Sequence, residues 1–122
     1  MKEINKDILS SLLASMYEAI ELAMCSESVV EDCDNKVSAM GQLVAAYETD
    51  YMRKVSYVSD GVPQGSSVLV EELLAVRAKL VDARARMAAA QEISMVETGN
   101  HLKDRAKVTE LREQVRVMLA LD

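Results

Sequence analysis

At 122 residues the chain is long enough for one domain with a core and too short for two. Half of its residues are apolar but only four are aromatic, all Tyr, with Met, Ala, Val and Leu filling the inventory; that balance speaks against a β-sandwich core and for packed helices. A formal net charge of −6 disfavours any general attraction to nucleic acid or anionic membrane, both of them polyanions.

The acidity is uneven. Up to Gly65 the chain carries 5 basic and 11 acidic side chains, and beyond it 9 of each. Cys25 and Cys33, eight residues apart, would lie about 12 Å apart along one helix, too far for a disulfide, so both are expected as free thiols in a reducing compartment. The charged start, MKEINKD, leads into no compact signal-peptide core, and no apolar run is expected to approach a membrane span, so a cytoplasmic protein without a membrane partner is expected.

In chain order, the first predicted helix covers residues 5–24, with Leu9, Leu13, Met16, Ile20 and Ala23 at steps of four and three and Ile8 and Leu12 widening the stripe. Ser26 is a candidate N-cap that would start a second helix over 27–59, although a continuous helix stays open. That stretch has the most regular pattern: Val30, Val37, Val44, Tyr51 and Val58 are spaced by seven, with Cys33, Met40 and Tyr47 interleaved. SDGVPQGSS, residues 59–67, holds the only proline and two of the four glycines and reads as a turn. A third helix over 66–97 repeats the alternation at Leu69, Leu73, Val76, Leu80, Ala83, Met87 and Ala90. Gly99 then predicts a stop and Asn100 a new cap, followed by a helix over 100–121 with Val108, Leu111, Val115 and Met118 on its core face.

Two equal arms around a short turn predict a long antiparallel, coiled-coil-like hairpin; folding about the turn sets Glu48 near Arg77 and Asp50 at the level of Val76 to Lys79. The expected architecture for residues 1–122 is a single all-α domain, with two shorter flanking helices making it four-helix-bundle-like and dimerisation completing it. Flanking helices of some 30 Å would cover only part of arms of roughly 50 Å, leaving an apolar stalk next to the turn. Its interface candidates are Val44, Tyr47, Tyr51, Val55, Val58, Leu69, Leu73 and Leu74; Tyr suits interfaces because it combines contact area with a polar tip. The alternative is that the Tyr residues are ordinary core. At the other end Ala39 and Gly41 lie at the level of Ala83, Ala85 and Ala88, small residues that either admit a close helix or form a solvent face.

Chemistry finds little footing. One histidine excludes multi-histidine sites within a chain, and Glu97 with His101 straddles Gly99, which makes His101 a solvated or capping residue. The EDCDN cluster around Cys33 fails as a calcium loop, since Val37 and Leu43 occupy its sixth and twelfth places; an acidic first helical turn explains it. Cys33 sits on the seam, where it reads as a small apolar residue. Glu18 and Glu21, with Glu31 and Asp34 on a following antiparallel helix, could hold Mg²⁺. This E-x-x-E and E-x-x-D pair resembles that of the all-helical nucleotide pyrophosphohydrolases, which implies a phosphohydrolase, but only nine residues separate its halves and no basic cluster follows. Lys103, Arg105, Lys107, Arg112 and Arg116 on the last helix raise nucleic-acid binding as a further alternative, against interspersed carboxylates. The favoured expectation is a non-enzymatic interaction module needing no cofactor or metal and partnered by a second copy of itself.

Overall fold

The computed structural model describes residues 3–60 and 67–121. Gly61, Pro63 and Gly65, on which the turn reading rests, lie outside the described residues. Two helices account for nearly everything else, α1 over Lys6–Ser59 and α2 over Ser67–Leu119, packed against each other as a hairpin, and the described residues contain no strand.

Asn5 starts α1 as its cap: the side-chain Oδ1 accepts the N–H groups of Asp7 at 3.0 Å and Ile8 at 3.2 Å, two donors that the first turn cannot satisfy internally. The predicted breaks at Ser26 and Gly99 do not form, so the described residues make two helices rather than four, with no short helices among them to fold back over a stalk. The physical reason lies in the seam. On α1 the less exposed residues run Leu9, Leu12, Met16, Ala19, Ala23, Ser26, Val30 and Cys33, an unbroken alternation of threes and fours in which Ser26 holds a seam position. Its hydroxyl bonds back to the Ala23 carbonyl at 3.1 Å instead of capping a new helix. On α2 the alternation passes through Ser94, Glu97, His101 and Asp104 to Val108, so Gly99 falls on the outward side of a helix that packing carries past it.

The chain forms two compact units. The loop-side unit, Cys33–Ile93, has its core at Val44, Leu80 and Ala83, against which Leu43, Tyr47, Tyr51 and Met87 pack. Its helices are antiparallel, and the charge pairing corrects the predicted register: Glu48 accepts a hydrogen bond from Arg84 at 2.9 Å, not from Arg77, while Asp50 pairs within its own helix with Lys54 at 3.0 Å. Helical side chains lean toward the N-terminus of their helix, so in an antiparallel pair Glu48 and Arg84 lean toward each other, whereas Arg77, one heptad nearer the turn, leans away. Gly41 makes no unusually close backbone approach; a Cβ added there would meet the Met87 methyl at 3.6 Å, an ordinary contact. The terminal unit takes the described residues 3–32 and 94–121, the start of α1 and the end of α2 among them, and buries Ala19 and Leu111.

Candidate functional site

Six residues among those described are buried, Ala19, Val44, Val76, Leu80, Ala83 and Leu111, and none of them is polar. The chain exposes 9093 Å². A compact monomer of 13.4 kDa exposes roughly 6500 Å², so about 2600 Å² of surface is in excess. Large apolar side chains stand exposed among the described residues, and the loop-side unit contributes Met52, Tyr57, Val58, Val68, Val70 and Leu74.

The interface candidates read from sequence divide accordingly. Val44 is buried in the intramolecular seam, Tyr47 and Tyr51 pack against its core, and Val55, Leu69 and Leu73 are half-buried. Val58 and Leu74 remain exposed. The first six lie on or beside the seam between the two helices, as the alternative reading of the Tyr residues as ordinary core has it. Sequence reasoning missed the exposed residues Val81, Met95 and Leu102, although their spacing of seven from Leu74, with Ala88 between, was there to be read.

In the terminal unit the seam turns polar. Ser26 Oγ and His101 Nδ1 lie 2.8 Å apart, both half-buried, with Glu97 and Asp104 at the adjoining seam positions of α2. The serine proton can serve only one acceptor: with the Ala23 carbonyl taking it, Ser26 accepts from the His101 Nδ1–H, and both groups are satisfied. His101 is therefore neither a solvated residue nor a cap, and Glu97 and His101 do share one helical face, correcting both expectations. Beside this pair a groove of about 450 Å³ runs between Ile20, Met24 and Glu27 on one side and Arg105, Thr109 and Arg112 on the other.

Continuity of α1 separates the carboxylates of the phosphohydrolase alternative. Glu21 and Glu31 stand ten residues apart on one helix, about 15 Å of rise, rather than facing each other across two. No group of three His, Cys, Asp or Glu among the described residues could hold a metal ion. Of the five cations raised for nucleic acid, Lys107 and Arg116 pair with Glu110 and Glu113 on their own helix, and Arg105 and Arg112 line the groove that also holds Glu27. The Arg116 guanidinium donates to both Glu113 oxygens, and this hydrogen bond holds the Glu113 carboxyl below its ordinary range. Cys25 and Cys33 are free thiols. By length and composition α1 is long and apolar enough to cross a membrane, with an 18-residue window at mean hydropathy 1.4, of which 11% is buried.

An all-helical hairpin of two packed helices, with many large apolar side chains exposed, is the class these features define. No protein-family model matches the chain, and neither does any curated protein or solved structure.

Proposed function

We propose that the protein is a helical interaction module whose working form is a homodimer built through its hairpin, and that it acts by contact, as a chaperone, adaptor, inhibitor or assembly component, without catalysing a reaction. The excess of about 2600 Å² of surface, together with the large apolar side chains left exposed, carries this reading, because a stable interface needs only roughly 800 Å² per partner. Two hairpins side by side supply four helices, so the bundle read from the sequence is reached between chains rather than within one. The free thiols agree with a cytoplasmic setting. Sedimentation or light scattering at micromolar concentration tests the proposal: a dimer is expected, and a strictly monomeric chain refutes it. Flotation with phosphatidylcholine vesicles tests the competing use of the apolar α1 stretch; a dimer that stays with the soluble fraction agrees with the proposal, and one that floats rejects it.

A further inference from the structure

The terminal unit presents two unlike lines of side chains on one side. On α1, Leu13, Tyr17, Ile20 and Met24 follow one another at steps of four, three and four, with Leu13 42%, Tyr17 64% and Met24 65% exposed. On α2, Arg105, Thr109, Arg112 and Arg116 repeat the same steps. The two lines meet at the groove of about 450 Å³ beside the Ser26–His101 pair, with Ile20 and Met24 on one wall and Arg105, Thr109 and Arg112 on the other. Thr109 donates its hydroxyl proton to the Arg105 carbonyl at 3.1 Å, and Arg116 is held by Glu113. Arg105 and Arg112 form no ion pair and no side-chain hydrogen bond with any described residue. In the loop-side unit, by contrast, Glu48 on the other helix answers Arg84. The groove thus sets two uncommitted guanidinium groups against an apolar wall.

We infer that this groove receives an acidic amphipathic helix of another protein, its apolar stripe on the α1 wall and its carboxylates on Arg105 and Arg112. The inference goes beyond the homodimer reading and does not rest on it. A groove between two packed helices accepts the ridge of a third, and apolar anchors at helical spacing supply the contact area. Arg105 and Arg112 are one heptad apart, about 10.5 Å of rise, a spacing that a second helix matches with carboxylates of its own seven residues apart and that a lone small anion does not. The planar guanidinium engages a carboxylate through two parallel hydrogen bonds, so each arginine fixes position as well as charge. Glu27, the one carboxylate on the groove, stands beside Ser26 at the His101 end and repels an acidic partner there, which sets the direction in which the acidic stretch extends. Carboxylates seven residues apart occur twice in this chain, as Glu27 with Asp34 and Glu97 with Asp104. The first pair includes the groove's own Glu27 and the second lies half-buried on the seam, so the complementary helix is sought outside this chain.

Two synthetic helical peptides of about 18 residues, roughly 27 Å long, provide the test. Both alternate Leu at steps of three and four; one carries Glu at flanking positions a heptad apart, the other Lys. Fluorescence anisotropy of each labelled peptide with the full chain in reducing buffer reads the binding. The Glu peptide is expected to bind, less tightly as salt rises, and the Lys peptide to bind at least about tenfold more weakly. Arg105→Glu combined with Arg112→Glu is expected to weaken the Glu peptide at least about tenfold with helix content by circular dichroism unchanged. Glu27→Gln is expected to tighten it, a gain that a damaged fold would not give. Equal binding of the two peptides, binding of neither, or parent-like binding by the double arginine variant each overturns the inference. Flotation with phosphatidylserine vesicles that the double variant abolishes would assign the cations to a lipid surface, and a parent dimer that the double variant turns into a monomer by light scattering would assign the groove to a second copy. Either result also overturns the inference.

Discussion

Replacing Gly99 by Ala separates a continuous α2 from one that stops at residue 99, because the two give opposite signs. In a helix interior Gly is about 1 kcal/mol less favourable than Ala, through the backbone freedom it loses on folding. Gly99 stands inside Ser67–Leu119, and a Cβ there meets nothing within 4 Å, so no steric cost offsets the gain. The substitution is expected to stabilise by about 1 kcal/mol and to raise the melting temperature by roughly 4 °C for a chain of this size. Were Gly99 instead the left-handed terminator that its sequence context suggests, Ala would pay about 1–2 kcal/mol for that conformation. The two outcomes thus lie about 2–3 kcal/mol apart, well outside the error of urea unfolding followed by circular dichroism. Chain concentration must be held constant, since self-association adds to apparent stability. Gly41→Ala is the companion: its Cβ would make an ordinary 3.6 Å contact with Met87, so it too should stabilise. A destabilised Gly99→Ala with a stabilised Gly41→Ala would refute the continuous helix while sparing the helical assignment around residue 41.

Leu80, 4% exposed at the centre of the loop-side core, is expected to cost about 2–5 kcal/mol as Ala; a loss under about 1 kcal/mol in urea unfolding would remove it from the seam. Ser26→Ala alone leaves the half-buried His101 Nδ1 without its partner and should cost about 1 kcal/mol, whereas Ser26→Val with His101→Leu should recover that loss, since both polar groups go together. Additive effects in this cycle would mean that the 2.8 Å contact is not formed in solution. Glu113 should titrate below an ordinary glutamate by NMR and return to the ordinary range in Arg116→Gln. Its folded value is depressed, so its small stabilising effect is present above the unfolded value and lost as pH falls through the folded one. An unshifted Glu113 in the parent protein would show that this surface pair is not populated.

Helical class, the start at Asn5 and the heptad seams around Val44 and Leu80 were legible from spacing alone, because a side chain's place on a helix repeats with the chain itself. The charge partner of Glu48 was misread by one heptad: Arg77 and Arg84 occupy the same flank, and only the lean of the side chains in a settled register chooses between them. Of the interface candidates, Val44, Tyr47 and Tyr51 lie in the intramolecular seam that their heptad spacing marks, since spacing shows that a face is covered and not which helix covers it. The outward line through Leu74, Val81 and Met95 was in the sequence too, hidden behind the stronger seam.

What the sequence by itself determined is periodicity: an all-α chain and two long apolar alternations. What only tertiary structure decided is whether local stop signals are obeyed. Ser26 and Gly99 each carry a genuine tendency to end a helix, worth about 1 kcal/mol, and packing along an unbroken seam outweighs it. The same packing turns Ser26 from a cap into the partner of His101, a contact between residues 75 positions apart that only the pairing of the two helices could create.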